Sequence, residues 1–288
     1  MSNQNKAVMP LESITVLDLS RVLSGPYCSM MLGDMGATIW KVEPPSGDDS
    51  RGLAPPFING ESAYYLSVNR NKLGICLDLT KEEGRQVLFS LAKKADVLIE
   101  NFRPDLKERL GITYQELSQM NPRLVYCSIS GFGQQGPYRK LPGLDNIFQG
   151  MAGLMQINGD EGSPPLKVGE RIADMIAGMQ AAFGIMVALY NRFISGRGQY
   201  LDLALVDSLI ASQAPMISYY FATGSQPPKA GNGSIFSAPT ELFETADRPI
   251  NVCIFIDKHW IKLCKVLDME ECLSDPRFIS NPLRAENA

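Results

Sequence analysis

Apolar and polar side chains alternate over Ile14–Ser20 (ITVLDLS), the two-residue period of a short strand. Gly25-Pro26 then opens a helix that runs through YCSMMLGDMG to about Gly36, because a proline in a first turn sacrifices no intrahelical bond. Ala37–Glu43 (ATIWKVE) predicts a second strand and closes a βαβ unit. A third strand is expected over Gly74–Thr80 (GICLDLT). Thr80 and Glu83 have capping-box spacing, so a helix should follow from Glu82 to about Lys94, with Val87, Leu88, Leu91 and Ala92 on one face. Val97–Glu100 predicts another strand, with Asn101–Asp105 as its loop. Thr113 and Glu116 repeat the capping-box spacing before a short helix ending near Met120, and Leu124–Ser130 predicts one more strand. Strands alternating with helices in this way imply an open, mostly parallel α/β sheet.

The texture changes after Ser130. Gly131–Gly143 is rich in Gly, Pro and Gln and reads as loop. A long helix dense in Ala, Gly and Met is expected from about Met175 to Phe193, ended by Ser195–Gln199. Tyr200–Leu205 predicts a strand, followed by a helix from Val206 that Pro215 interrupts. Gln226–Ser234 (QPPKAGNGS) reads as a linker, and Ile250–Ile256 with His259–Leu267 predicts the start of a smaller α/β unit. The implied division is a large domain over 1–224 and a smaller one begun over 225–288. RAENA (284–288) closes no finished architecture, so a further C-terminal part is expected.

Composition narrows the function. Of 288 residues, 45% are apolar and 20% charged, and the net charge of −4 offers no basic excess for nucleic acid or an anionic membrane. The N-terminal MSNQNKAVMPLES lacks the apolar core of a leader, and the apolar run Ala181–Tyr190 is too short to cross a bilayer. Six cysteines without a CxxC pair are expected to be buried free thiols of a reducing compartment, cytoplasm or organelle matrix. Met30, Met31 and Met35 are expected in the core, and Arg192 and Arg197 at the C-terminal end of the long helix. His259, the single histidine, reads as an exposed helix residue, so a mechanism built on a His base or a multi-His metal site has weak support. LSRVLSGP (Leu19–Pro26) carries no dinucleotide fingerprint after the first strand, and neither a P-loop nor G-x-S-x-G occurs.

What remains are carboxylates and polar loops after strands, where an open α/β sheet gathers its ligands. Asp174, within VGERIADMIAGM (Val168–Met179), is conspicuous just before an apolar run. It can be a helix N-cap accepting from Ile176 or Ala177, or it can be chemistry; a helix start favours the ionised form in either case.

Several segments, in order, resemble the class III CoA-transferases, the family of formyl-CoA and carnitine CoA-transferases that includes α-methylacyl-CoA racemase. They are Val16–Gly52, NRNK (69–72), LDLT (77–80), ENFRP (100–104), SGFGQQGPY (130–138), PGLDNIFQGMAGLM (142–155), PLKVGERIADMIAG (165–178), GRGQYLDLAL (196–205) and NPLR (281–284). The resemblance implies a large Rossmann-like domain, a smaller α/β domain and an interlocked homodimer. It implies that Asp174 is a nucleophile passing through a mixed anhydride and an aspartyl-CoA thioester, with acyl-CoA and a carboxylic acid as substrates and no permanent cofactor, ATP or metal. It assigns CoA contacts to Val22, Leu23, Ser24, Leu77, Asp78, Leu79, Thr80, Asn101, Phe102, Arg103 and Arg109, and oxyanion donors to the loop Gly231-Asn232-Gly233. Leu23 stands where formyl-CoA transferase has a glutamine, which speaks against formate as substrate. Leu144 stands where racemases have a histidine, which speaks against racemisation. An acyl-CoA racemase or epimerase and a non-catalytic CoA-binding paralogue remain the alternatives.

Overall fold

The computed structural model describes residues 8–287, and its first elements follow the hydrophobic pattern. β1 (Thr15–Asp18), α1 (Ser24–Asp34) and β2 (Thr38–Glu43) form the expected parallel βαβ unit, with Asp18 beside Lys41. A short hairpin, β3 (Phe57–Ile58) and β4 (Glu61–Ser62), leads into α2 (Ala63–Val68). The chain continues with β5 (Lys72–Cys76), α3 (Glu82–Ala92), β6 (Val97–Glu100), α4 (Pro104–Leu110), α5 (Tyr114–Met120), β7 (Val125–Ser130), α6 (Asp145–Met151) and α7 (Leu154–Ile157). Then come α8 (Ile172–Ser195), β8 (Tyr200–Ala204), α9 (Leu205–Ser212), α10 (Ala214–Thr223), β9 (Thr240–Phe243), β10 (Ile250–Cys253), α11 (Asp257–Val266) and α12 (Asn281–Glu286).

Two units divide these elements. The first holds residues up to Ala152 together with Glu170–Ser212, and the second holds Gly153–Gly169 with everything from Gln213 onward. Residues 153–169 and 213–224, placed in the large domain by sequence pattern, thus fold with the second unit. That unit contains the antiparallel pair β9–β10 and the helix α11, on which His259 is exposed as expected.

The first unit is built on a six-stranded, wholly parallel sheet of order β5-β2-β1-β6-β7-β8. Counted by strand, this is 3-2-1-4-5-6, the doubly wound order in which the chain reverses direction between its first and fourth strands. β6 is buried along its whole length and β7 along all but its last residue, as parallel strands covered on both faces must be. One core layer gathers Leu17, Leu19, Leu88, Leu98, Ile112 and Tyr126. The Tyr126 hydroxyl donates to Ile112 O at 2.8 Å, which satisfies the one polar atom that ring carries inside.

Several sequence expectations shift. The third strand ends at Cys76, and Leu77–Thr80 forms a turn instead. No capping box forms at Thr80: its hydroxyl and N–H both donate to Asp78 Oδ1 (2.6 and 3.0 Å), and α3 starts from Lys81 with no side-chain cap. Gly84 makes that turn possible, since a Cβ there would lie 2.1 Å from Asp78 O. The second capping box, Thr113 with Glu116, is present as expected. Cys28, Cys127 and Cys264 are buried free thiols, but Cys76 and Cys253 are exposed. Met30 is buried, whereas Met35 is 41% exposed. Arg192 does not serve its own helix end: it donates to Asp96 O and Arg123 O, both at 3.2 Å, and pairs with the Asp96 carboxylate at 3.0 Å.

α8 is longer than expected, 24 residues, and starts three residues earlier. By length and apolarity it could cross a bilayer, although the unbroken apolar run within it is short. Its inner face is instead packed, mainly against α1 and α9. That face is made of small residues, Ala173, Ala177, Gly178, Ala181, Ala182 and Ala188. Gly178 matters most, because a Cβ there would sit 2.6 Å from Ser24 O and force α1 away.

Candidate active site

The reversal point of the sheet opens a crevice between the carboxyl ends of β1 and β6. The two chains leaving those ends are stitched together: Arg21 N–H donates to Asn101 Oδ1 (2.9 Å), and Asn101 Nδ2 donates to Arg21 O (2.8 Å). The next residue, Val22, takes a left-handed backbone (φ 67°), unfavourable for a β-branched side chain. A buried polar network holds it there. Val22 N–H donates to Asp48 Oδ1 (3.2 Å), and Lys41 Nζ binds both Asp48 Oδ2 (2.8 Å) and Ser20 O (2.6 Å). Beneath them Asp18, fully buried, accepts from Ser20, Ser29 and Lys72. Burial alone would raise its proton affinity, yet Lys72, Lys41 and the two serines hold the carboxyl down to about 2.

This braced loop delivers Ser24 to Asp174. Asp174 is the third residue of α8, not its N-cap, which corrects the capping alternative: the cap residue is Arg171 and brings no side-chain cap bond. The N–H groups of Ala173 and Asp174 are instead taken by Asp145 Oδ2, at 2.8 and 3.1 Å, from the start of α6. Asp174 is mostly buried, and burial followed by the Asp145 charge raises its carboxyl to about 6, against hydrogen bonds from the Ser24 hydroxyl and N–H and the charge of Arg171. The Arg171 guanidinium lies 5.1 Å from the Tyr64 ring centre. The Tyr64 hydroxyl is enclosed and has no hydrogen-bond partner among the described residues; burial, with the nearby aspartates, pushes it up to about 12.

Two cavities flank the crevice. One, of about 330 Å³, is lined by Leu77, Asp78, Leu79, Thr80, Phe102 and Arg109, all assigned to CoA from sequence. Its walls add Arg21 and Arg85, which sequence reasoning missed; Arg85 Nη1 also braces the turn by donating to Leu79 O (3.2 Å) and Thr80 O (3.1 Å). The second, of about 560 Å³, brings Asn101, Phe102 and Arg103 together with Arg139 and Lys140 of the glycine-rich loop. Buried Lys107 fixes its two sides, binding Glu100 (2.9 Å), Ser128 (2.8 Å) and Gln134 (2.8 Å). An apolar slot bordered by guanidinium groups suits a nucleotide base beside its phosphates.

Val22, Leu23, Ser24 and Asp174 therefore meet in the first unit, with the Leu77–Thr80 and Asn101–Arg103 loops lining the adjoining cavities. Gly231, Asn232 and Gly233 lie in the second unit, where Gly231 N–H donates to Gly159 O (3.0 Å) and Gly233 N–H to Ala230 O (2.6 Å). No grouping of metal-binding side chains occurs among the described residues. Asp145 and Tyr64 escaped sequence reasoning because the fold brings them to Asp174 from far along the chain, whereas Arg171, three residues from Asp174, was open to local inspection and was overlooked.

The doubly wound α/β unit thus holds a largely buried carboxylate, Asp174, against Ser24, and beside its crevice a cavity with apolar and guanidinium walls. The model of CoA-transferase family III matches residues 11–288. The acetyl-CoA:oxalate CoA-transferase of Acetobacter aceti is 39% identical over 96% of this chain and 72% of its own length. The succinate–glutarate CoA-transferase of Agrobacterium fabrum is 40% identical over 96% of this chain and 70% of its own. A crystal structure of a CAIB/BAIF family protein from Brucella suis superposes with a TM-score of 0.86 at 37% identity, over 97% of this chain and 75% of that one. The chain belongs to CoA-transferase family III, enzymes that move coenzyme A between an acyl-CoA and a carboxylate.

Proposed function

We propose that Asp174 is the nucleophile of this CoA transfer and that the acids exchanged are short dicarboxylates. In the first step an Asp174 oxygen attacks the donor thioester carbonyl, the C–S bond breaks and CoA thiolate leaves a mixed anhydride. The thiolate then attacks the aspartyl carbonyl, releasing the donor acid as its carboxylate and forming an aspartyl-CoA thioester. The acceptor carboxylate attacks that thioester and expels the thiolate. Finally the thiolate takes the new acyl group and frees Asp174. Each step exchanges one activated acyl bond for another, so no external energy source enters.

The observation that carries this reading is the placement of Asp174 against the Ser24 hydroxyl and N–H at the crevice, with its carboxyl raised to about 6. A carboxylate with that value is about nine-tenths ionised at neutral pH yet more basic than an ordinary one, a suitable compromise for a nucleophile. The cavity of Leu77–Thr80, Phe102, Arg85 and Arg109 would take the CoA nucleotide. The dicarboxylate class is supported by the names of the two relatives, oxalate and succinate–glutarate, and by Arg171, a cation close to Asp174.

Asp174→Asn keeps size and removes the nucleophile. A fall in kcat of at least about 10³-fold is expected, together with loss of the aspartyl-CoA adduct that mass spectrometry of denatured, acyl-CoA-treated protein would show. Full transferase activity in that variant would sink the mechanism. A homodimer belongs to the same reading. It is supported by the outer face of α8, where Met179, Phe183, Val187, Tyr190 and Ile194 form an exposed apolar stripe at helical spacing. Sedimentation velocity should give twice the chain mass, and a Phe183→Asp, Tyr190→Asp double variant should sediment as monomer; a monomeric parent protein refutes the dimer.

A further inference from the structure

Asp145 is 5% exposed and forms no salt bridge among the described residues, an expensive position for a carboxylate. Both its oxygens nevertheless accept hydrogen bonds. Oδ2 accepts the N–H groups of Ala173 and Asp174, and Oδ1 accepts Gln149 Nε2 at 2.6 Å. The same Gln149 amide donates to Glu170 O (3.2 Å), so α6 grips the residues just before α8 as well as its first turn. A helix start is ordinarily capped from its own sequence, and an acidic side chain at its third position tends to turn back on the free donors there. At α8 two of those donors, the N–H groups of Ala173 and Asp174, are already filled, and the third residue is Asp174.

Resting on Asp174 as nucleophile, we infer that Asp145 is a positioning residue: by occupying the N–H groups of Ala173 and Asp174 in the first turn of α8, it keeps the Asp174 carboxylate from folding back onto those donors and leaves it facing Ser24 and the substrate. A neutral cap such as serine or asparagine would fill the donors equally well. The carboxylate adds a like charge beside the nucleophile, which favours the protonated form of Asp174 and so raises its basicity. The groups facing Asp174 are Ser24 from α1, Asp145 from α6, Tyr64 from α2 and Arg171 at its own helix start. Of these, Asp145 is the one whose charge and hydrogen bonds act on Asp174 together.

Two variants separate the parts. Asp145→Asn keeps a carbonyl acceptor for the two N–H groups and removes the charge. Its acid limb in kcat/KM against pH should move down by about one pH unit, with KM for acyl-CoA within about twofold. Asp145→Ala removes the acceptor, so kcat should fall about 100-fold with little change in KM. A purely structural role would lower the melting temperature and leave the acid limb in place. An unmoved limb in Asp145→Asn, or more than about a third of kcat retained in Asp145→Ala, overturns the inference. If the alanine variant does not fold, the asparagine limb decides. Asp174→Asn in the same assay keeps the two failures apart: an active Asp174→Asn removes the nucleophile, whereas an inactive one beside an unmoved Asp145→Asn limb removes the role of Asp145 alone.

Discussion

Asp18 and Asp174 stand on either side of the braced β1–α1 loop and differ in almost every electrostatic respect. Asp18 is the deeper, with no exposure, yet its carboxyl is held down to about 2. Asp174 is closer to the surface, yet its carboxyl is raised to about 6. Depth works in the same direction for both, so the difference comes from the neighbours. Asp18 has buried Lys72 at 3.2 Å and Lys41 nearby, whereas Asp174 has Asp145 behind it and a solvent-exposed Arg171. One aspartate is a fixed anion that organises a loop; the other holds its proton to about pH 6, and under the proposed mechanism it is the one that gains and loses an acyl partner.

Removing the anchored charge gives the largest effect. Asp18→Asn should cost about 3–5 kcal/mol, because it strands Lys72 and part of the Lys41 network without their anion. Urea unfolding measures this, and a loss under about 1 kcal/mol would mean the network contributes little. Asp174 should behave in the opposite sense. Asp18 has a folded value below its unfolded one, so its stabilisation is present above about pH 4 and disappears as pH falls towards 2. Asp174 has a folded value above its unfolded one, so it costs stability progressively as pH rises from about 4 to 6. Asp174→Asn should therefore unfold at higher urea by about 1–2 kcal/mol at pH 7.5 while gaining nothing at pH 3.5; equal stability at both pH values would contradict the raised value. The smallest effect is expected from Arg171, which is solvated. Arg171→Gln should raise KM for the acid about 3–10-fold, leave KM for acyl-CoA unchanged and move the acid limb slightly upward. An unaltered KM for the acid would detach Arg171 from acceptor binding.

Much of the frame behind this comparison is legible in the amino-acid sequence. Strands β1, β2, β6, β7 and β8 follow from their hydrophobic runs, and the Thr113–Glu116 box is a local pattern that forms locally. The partners of Asp174 were not legible. Asp145 lies 28 and 29 residues from the N–H groups it accepts, and α6 itself is hidden behind a Gly- and Pro-rich loop. The failed box at Thr80 makes the same point in reverse: the spacing was right, but Asp78 is two residues away and competes for the same hydroxyl. The strand order that places Arg21 beside Asn101 is likewise a property of the assembled sheet, since the two residues are 80 apart in the chain. Local patterns give the elements; the neighbours that tune an aspartate come from topology.

α8 joins these scales, because its two ends are secured by different parts of the molecule. Near one end Asp145 grips the first turn, and near the other Arg192 is bolted to the backbone of Asp96 and Arg123. Asp174 and Arg192 are separated by about 27 Å of stiff helix. A rod of that length magnifies angular error: a tilt of about 2° pivoting at Arg192 would carry the Asp174 backbone by roughly 1 Å, enough to cost on the order of 100-fold in rate. The site thus has a mechanical tolerance as well as a chemical one, and the two clamps on α8 set it.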